Sequence, residues 1–236
     1  MTIWKLRGGG RTVENREYRK VIEYVKNEIK RGHIHLEDKL PAERVMAEEL
    51  DMSRGSVREA LRTMENMGML ESRQGSGNYL TGNLNKAFQE SISMMFLLKQ
   101  VSYSEVNTLR RAVETEAYTL AIKNISDNQI KQLKEVLESM QTVEIDELIL
   151  RDKEFHYQMI RASENHLIIS IMDALEEIYA ASVEHMLRSV SEQTKNKLVL
   201  CHEKMLDCMI RKDEDGGRKA VNEHYDLLES CYHRKK

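Results

Sequence analysis

The sequence predicts a mainly α-helical protein with two domains: a small N-terminal domain that adds a β-hairpin to its helices, and a larger C-terminal bundle of helices only. Three observations lead to this prediction. Apolar residues recur every three or four positions through most of the chain. Two short extended runs flank a glycine-containing turn at residues 74–77. The chain has a single proline, Pro41, so no proline interrupts the helical pattern in its later part.

The N-terminal segment predicts a flexible arm followed by a helix. Residues 1–16 have no hydrophobic period and contain a run of glycines, so we expect them to form a flexible arm. From Glu17 to Arg31 the apolar residues return with helical spacing, and Gly32 follows as a C-cap residue. This helix opens a predicted domain that covers residues 17–82.

Two further helices, separated by a short turn, follow within this domain. The first starts near Pro41, a residue favoured in the first turn of helices, and the second covers residues 53–67 with Ser53 as its N-cap. The second helix carries an apolar stripe on one side and a basic stripe on another. The basic residues are Arg54, Arg58 and Arg62. This pattern indicates a helix-turn-helix, whose second helix packs by one face and offers the other to DNA phosphates and bases.

A β-hairpin is predicted directly after the helix-turn-helix. Gly68 ends the helical spacing, and the extended runs 69–73 and 78–81 flank the turn, where glycine permits a tight reversal. A helix-turn-helix followed by a hairpin is a winged helix. In such a domain the second helix enters the major groove, where arginine donates hydrogen bonds to guanine, and the wing reaches the adjacent minor groove or backbone.

These residues also carry a family resemblance. The segments DKLPAERVMAEEL and SRGSVREALRTMENMGMLESRQGSG, between residues 38 and 77, resemble the N-terminal domain of the GntR superfamily of bacterial transcription regulators. The resemblance implies double-stranded DNA as partner, and the two-fold symmetry of a homodimer would make its operator palindromic. It also implies contacts with DNA, or close approach to it, by Arg44, Ser53, Arg54, Gly55 and Arg58, with Gly75 or Gly77 at the tip of the wing.

A short polar link at residues 83–86 leads into a predicted all-helical domain at residues 87–236. Residues 102–105 form a capping box that opens one helix, and residues 126–129 open another. Periodic stretches predict further helices over residues 145–163, 166–189, 192–212 and 213–233. Helices of this length with short connections form an antiparallel bundle.

The net charge of −3 is unevenly distributed along the chain. Residues 1–82 carry 15 Lys and Arg against 13 Asp and Glu, whereas the rest of the chain carries 21 against 26. The basic charge therefore lies with the predicted DNA-binding domain.

The sequence is typical of a cytoplasmic protein without a membrane partner. No apolar run approaches the roughly 18 residues of a membrane span, and the first residues do not open a signal peptide. The three cysteines are an odd number without CxxC spacing, so we expect free thiols rather than disulfides or a thiolate zinc site.

Four residues of the C-terminal domain form a candidate metal site. Asp152 and His156 lie four positions apart on one predicted helix, so their side chains project from the same face. His202 and His224 each lie in the middle of another predicted helix, where a single histidine is more often a packing residue than a ligand. Together, three imidazoles and one carboxylate suit Zn²⁺ or a similar divalent ion. The remaining histidines, His33, His35, His166, His185 and His233, are treated as surface or packing residues.

A second resemblance supports this site. The C-terminal domain is similar to the FCD domain of the FadR-like subfamily, especially at residues 109–114 and 152–156. The resemblance implies that Asp152, His156, His202 and His224 bind a divalent metal, with zinc expected and nickel or manganese as alternatives. It also implies that Arg110 pairs with the carboxylate of an effector. Some FCD proteins bind acyl ligands without a metal, which leaves a metal-free pocket as the alternative.

We therefore hypothesise a homodimeric, ligand-responsive transcription regulator, acting as a repressor, whose two winged helices each read one half of the operator. A small carboxylate effector held by the metal and Arg110 would alter operator affinity. One alternative is a metal-dependent enzyme that uses the same Asp and His cluster to activate water. Another is a regulator whose helical domain only dimerises.

Overall fold

A computed structural model describes residues 11–82, 85–141 and 143–233. The chain forms two compact units, an N-terminal unit (Met1–Phe88) and a C-terminal unit (Gln89–Lys236). The helices are α1 (Arg11–Lys30), α2 (Glu43–Leu50), α3 (Arg54–Asn66), α4 (Asn85–Leu97), α5 (Tyr103–Asn124), α6 (Asp127–Met140), α7 (Ile145–Arg161), α8 (His166–Ser189), α9 (Glu192–Arg211) and α10 (Glu214–His233). The strands are β1 (Leu70–Arg73) and β2 (Gly77–Leu80). The predicted fold class, a winged helix-turn-helix with a helical C-terminal domain, is confirmed.

Two helices begin at positions that the hydrophobic pattern did not predict. Helix α1 begins at Arg11, whereas the predicted start was Glu17, and residues 1–10 of the predicted arm lie outside the described residues. The segment 11–16 contains no glycine or proline, so the helix extends at little cost once its later turns have formed. Helix α4 begins at Asn85, within the link predicted at 83–86.

The core of the N-terminal unit is built on the apolar stripe of α3. Ser53 caps this helix as predicted, because its Oγ accepts a hydrogen bond from the backbone N–H of Ser56 at 3.0 Å. The stripe is fully buried and packs with residues of α1, α2 and β1. Its members are Val57, Ala60, Leu61 and Met64. The burial of this face orients the arginines of α3 toward solvent.

The wing is an antiparallel hairpin of β1 and β2. Its register pairs Leu70 with Leu80 at the base and Arg73 with Gly77 at the turn. The turn closes through a 2.9 Å hydrogen bond from the backbone N–H of Ser76 to the Arg73 carbonyl. Gly75 has φ +71° and Gly77 has φ +125°, conformations that side-chain-bearing residues rarely adopt.

The C-terminal unit consists of helices α5 to α10, with the last part of α4, around one apolar core. Both predicted capping boxes are present, at Ser102 before α5 and at Ser126 before α6. Helix α10 packs against α9 and α5, and α7 packs against α5, α6 and α8. This arrangement brings α5, α7, α9 and α10 together in the interior of the unit.

The helices that the structure describes include none long and apolar enough to cross a membrane. Cys201 and Cys208 are buried as free thiols, and Cys231 is a half-buried free thiol. The prediction of free thiols therefore agrees with the position of all three side chains.

A close contact between α5 and α10 predicts that a side chain at Gly217 destabilises the C-terminal unit. The Tyr118 hydroxyl donates a hydrogen bond to the Met205 carbonyl at 2.7 Å, and a Cβ on Gly217 would lie 2.1 Å from the Tyr118 oxygen. We expect Gly217→Ala to lower the free energy of unfolding by about 1–3 kcal/mol, because Tyr118 must move. Chemical denaturation followed by circular dichroism measures this change.

Gly55→Ala is the matched control, because the new Cβ would lie at an ordinary 3.6 Å from the Ser53 Oγ. We expect it to leave stability unchanged or to raise it by up to about 1 kcal/mol through higher helix propensity. A Gly217→Ala protein as stable as the wild type would contradict the prediction that the contact with Tyr118 excludes a side chain at position 217.

Candidate DNA-binding surface and metal centre

The first turn of α3 presents the predicted DNA-contacting residues at the surface of the N-terminal unit. Ser53, Arg54 and Gly55 are all exposed. Among the described residues, and apart from the neighbouring residues and the backbone of α3 itself, only the Ser53 Oγ at 3.6 Å would contact a Cβ on Gly55, so the fold does not require a glycine there. Glycine in a helix lowers stability relative to alanine. The absence of a side chain instead leaves room for a phosphate to approach the free N–H groups of the helix N-terminus.

The arginines of this surface differ in how they are held. Arg58 makes a two-point contact with Glu43, Nε to Oε1 at 3.0 Å and Nη2 to Oε2 at 2.7 Å, and this hydrogen bonding lowers the pKa of Glu43. Arg44 pairs with Glu48 at 2.7 Å. Arg54 makes no ion pair with any residue that the structure describes. Exposed ion pairs contribute at most about 1 kcal/mol, so a DNA phosphate can replace these carboxylates.

The wing extends the same unit with exposed Gly75 and Gly77 at its turn. Beside them the Arg73 guanidinium lies 4.1 Å from the centre of the Tyr79 ring and 2.8 Å from Glu71. Arg73 was not among the predicted contacts, although it lies exposed at the end of β1, next to the turn of the wing.

The structure brings together the four residues predicted as metal ligands. Asp152 and His156 come from α7, His202 from α9 and His224 from α10, and their ligand atoms all lie within 4.8 Å of one another. The Nε2 atoms of His156 and His202 are 3.1 Å apart, and the His202 Nε2 lies 3.5 Å from the Asp152 Oδ1. The three histidines are buried and Asp152 is half-buried.

The shortest of these distances fits a divalent ion. Two imidazole nitrogens bound to one ion at about 2.1 Å lie about 2.9–3.4 Å apart when they subtend octahedral or tetrahedral angles. The separation of 3.1 Å between the nitrogens of His156 and His202 falls within this range. The donor set of three nitrogens and one carboxylate oxygen is that of zinc and of neighbouring transition metals.

Burial keeps two histidines of the cluster in the neutral form that can bind a cation. It lowers the pKa values of His202 and His224 well below the ordinary value, and the neighbouring His156 lowers both further. Both rings are therefore neutral at neutral pH, with lone pairs available for coordination. Burial also raises the pKa of Asp152, because the site offers its negative charge little solvation.

A buried carboxylate connects the cluster to an arginine on α5. Glu114 is fully buried, and its Oε1 accepts a 3.0 Å hydrogen bond from the Arg110 Nη2 while its Oε2 lies 2.8 Å from the His156 Nδ1. Burial alone would raise the pKa of Glu114, but the charges of His156 and Arg110 hold it well below its usual range. Glu114 is therefore ionised, with a hydrogen bond from Arg110 at one oxygen and a close contact with the His156 ring at the other.

Arg110, the predicted effector-binding residue, lies beside the cluster and is only 4% exposed. The centre of its guanidinium is 3.3 Å from the centre of the Tyr179 ring and 5.6 Å from that of Tyr225. Its Nε has no hydrogen-bond partner among the described residues. A buried donor without a partner is unfavourable, so this nitrogen is available to an acceptor that enters the site.

The space next to the cluster is narrow. A cavity of about 20 Å³ lies between α7 and α8 and is lined by His156 and Tyr179, among others. It has room for about one water molecule, which is less than a small carboxylate needs. Among the described residues, a larger groove of about 520 Å³ lies between α9 and α10, and the four ligand residues are not part of its lining.

Three residues of this site were not predicted from the sequence: Glu114, Tyr179 and Tyr225. Glu114 had a detectable signal, since it follows Arg110 by four positions and so lies on the same face of α5. Tyr179 lies in an apolar stretch of α8, and such a pattern predicts an ordinary core residue. Its contact with Arg110 depends on how α8 packs against α5.

Comparison with known proteins finds a family match for each of the two predicted domains. Residues 17–80 match the family described as bacterial regulatory proteins, gntR family, and residues 105–227 match the FCD domain family. The HTH-type transcriptional regulator LutR of Bacillus subtilis strain 168 is 28% identical over 152 residues, covering 64% of this chain and 69% of LutR. The Exu regulon transcriptional regulator of Escherichia coli strain K12 is 26% identical over 221 residues, covering 91% and 84%. A solved Streptococcus agalactiae GntR structure shares the fold, with a TM-score of 0.64 at 22% identity, over 90% of this chain and 98% of that one.

Proposed function

Since the chain belongs to the GntR family of bacterial regulatory proteins and carries an FCD domain, we propose that it is a homodimeric repressor that releases its operator when a small carboxylate binds beside a metal ion. It is a transcription regulator, and the alternative of a metal-dependent enzyme is set aside, because the families and relatives it matches are regulators. What we propose beyond this is the bound metal ion, the carboxylate effector, the homodimer and the role as a repressor.

The buried cluster of Asp152, His156, His202 and His224 carries the proposal. Four ligand atoms within 4.8 Å of one another, in the interior of a helical unit, have no evident structural purpose without a cation. Zinc is the proposed ion, with nickel or manganese as alternatives, because all three accept this donor set. The ion would supply a fixed positive charge and coordination positions to an incoming oxygen ligand.

The charge of the site favours a carboxylate effector. With His156 neutral, as coordination requires, the charged groups at the described site are Arg110, Glu114 and the half-buried Asp152, one positive and two negative. A divalent ion would therefore leave one positive charge in excess, which a single carboxylate neutralises. The unpartnered Nε of Arg110 provides a donor for that carboxylate.

The narrowness of the cavity suggests how the effector would act. A ligand larger than one water does not fit the space beside His156 and Tyr179, so α7 and α8 must separate to admit it. The effector thus binds the open arrangement of these helices more tightly than the closed one. Such a difference in affinity is what shifts an equilibrium between two conformations, and through the dimer it would change operator affinity.

On the DNA side we propose that each protomer reads one half of a palindromic operator with α3 in the major groove. Arg54 and Arg58 would contact bases or phosphates, and Arg44 on α2 a phosphate. The first turn at Ser53 and Gly55 would approach the backbone closely. The wing, with Gly75 and Gly77 at its tip, would reach the adjacent minor groove.

Substitutions at the start of α3 test the DNA-binding surface. We expect Arg54→Ala to weaken operator binding about tenfold or more, since one lost arginine contact is worth about 1–3 kcal/mol. Gly55→Ala should also weaken binding while leaving the fold stable, because its Cβ occupies the space of an approaching phosphate. Fluorescence anisotropy at fixed salt, on an operator selected by the wild-type protein from random duplexes, measures both.

Arg31→Ala is the charge-matched control, since Arg31 is an exposed arginine that follows α1 and pairs with Glu28. It should bind the selected operator as the wild type does. Equal losses from Arg31→Ala and Arg54→Ala would mean that α3 provides general positive charge rather than a specific contact.

Metal content tests the cluster. Untagged protein purified without chelators is expected to contain about one divalent ion per chain, by elemental mass spectrometry, and His202→Ala should lose it because one of four ligands is removed. His185→Ala, at an exposed histidine of α8, should retain the ion. A wild-type protein that neither contains nor takes up Zn²⁺, Ni²⁺ or Mn²⁺ would contradict the metal assignment.

Operator release tests the effector. Small carboxylates, screened against the Zn²⁺-loaded protein on its selected operator, should include one that lowers operator affinity at least tenfold, and this response should disappear in His202→Ala. Uncharged amides of the same acids serve as controls and should have no effect, because they leave the excess charge unbalanced. If no carboxylate acts while uncharged or acyl ligands also fail, the helical domain serves only to dimerise.

A further inference from the structure

We propose that Glu114 is a positioning residue of this site, which sets the tautomer of His156 and at the same time holds the guanidinium of Arg110. The inference rests on the proposed metal and effector site and deepens it, because it names the residue through which one part of the site influences the other. Glu114 is not itself one of the four clustered ligands.

The geometry of Glu114 uses both oxygens for different partners. Its side chain is fully buried on α5, one helical turn after Arg110, with Oε1 at 3.0 Å from the Arg110 Nη2. Its Oε2 is 2.8 Å from the Nδ1 of His156 on α7. One carboxylate therefore joins the arginine to the cluster across two helices.

This contact determines which nitrogen of His156 faces the cluster. An ionised carboxylate offers only lone pairs, and a second lone pair 2.8 Å away would be repelled, so in the neutral ring the Nδ1 carries the proton, although its N–H is not aligned with the Glu114 oxygen for a regular hydrogen bond. The Nε2 then has a free lone pair, and it lies 3.1 Å from the Nε2 of His202, among the clustered donor atoms. A carboxylate behind a ligand histidine also increases the basicity of the imidazole.

The second oxygen connects this effect to Arg110. Arg110 is held between Glu114 and the face of Tyr179, and its Nε remains without a partner among the described residues. A carboxylate that draws Arg110 toward itself would weaken the Arg110–Glu114 hydrogen bond and leave more negative charge on the oxygen that faces His156. Effector binding would then strengthen metal binding, and by linkage metal binding would strengthen effector binding by the same factor.

A purely structural role for Glu114 makes a different prediction. A buried Arg–Glu pair that only supports the packing of α5 would affect the stability of the unit when broken, but not the affinity of the cluster for an ion. Metal affinity compared at matched stability therefore separates the two roles.

The test is Glu114→Gln in the full-length protein, with Zn²⁺ affinity measured by competition with a chromophoric chelator and the site geometry by the absorption spectrum of the Co²⁺-loaded protein. Glutamine has the same size but offers one acceptor and one donor, whereas Arg110 and His156 both present donors. We expect Zn²⁺ affinity to fall by about 10- to 100-fold and the Co²⁺ spectrum to change.

Tyr118→Phe is the matched control. Tyr118 follows Glu114 by four positions on α5. Its replacement by phenylalanine removes only the buried hydrogen bond to the Met205 carbonyl. It should lower stability yet retain wild-type Zn²⁺ affinity and the wild-type Co²⁺ spectrum. A Glu114→Gln protein that binds Zn²⁺ as tightly as the wild type, with the same spectrum, overturns the inference while leaving the proposed metal site intact.

A measurement on the wild type keeps the test decisive if Glu114→Gln does not fold. The ¹⁵N shifts of the ring nitrogens in histidine-labelled, Zn²⁺-loaded protein, assigned with His156→Gln, should show His156 protonated at Nδ1 and coordinated through Nε2. Coordination through Nδ1 would overturn the role of Glu114. A wild-type protein that takes up no Zn²⁺ would overturn the proposed function and this inference together.

Discussion

The interior of the C-terminal unit depends on how a buried negative charge is compensated. A buried carboxylate needs compensating groups, and Glu114 has a hydrogen bond from Arg110 of its own helix at one oxygen and the His156 ring nitrogen of α7 at 2.8 Å from the other. The ring of Tyr179 covers the guanidinium from α8. Because these partners come from separate helices, the charge can be buried only when α5, α7 and α8 have their native arrangement. The cluster of His202 and His224 then lies directly beyond His156.

Apart from the joining of His202 and His224 to Asp152 and His156, which the family resemblance implied, the features that the sequence predicted are encoded within one helix or turn. The stripe of α3, the capping boxes at Ser102 and Ser126 and the pairing of Asp152 with His156 all depend on residues within four positions of each other. The features that it missed depend on weak local signals or on tertiary packing. The start of α1 at Arg11 has no apolar period to mark it, and the contact of Tyr179 with Arg110 joins two helices that are distant in sequence.

The arginines of the N-terminal unit and Arg110 of the C-terminal unit lie in opposite environments. On α3 and α2, Arg58 and Arg44 are exposed and paired with Glu43 and Glu48, so their charge is partly masked until a stronger anion arrives. These carboxylates compete with DNA phosphates for the arginines. Purely electrostatic contacts with DNA are therefore weakened more than contacts with good hydrogen-bond geometry. Arg110 is buried, and its partner carboxylate is part of the site. The first arrangement suits reversible recognition of a polyanion, and the second suits a single small ligand.

The spread of the cluster over three helices has a further consequence. His156 and His202 are 46 positions apart, and His224 stands on the last helix, so an ion bound there would crosslink α7, α9 and α10 much as a disulfide does. The unfolded chain cannot hold these side chains together, so the free energy of coordination would add to the unfolding free energy of the C-terminal unit alone. Chelation would then loosen one half of the protein and leave the winged helix folded, and the availability of the ion in the cell would govern how long the intact regulator survives proteolysis.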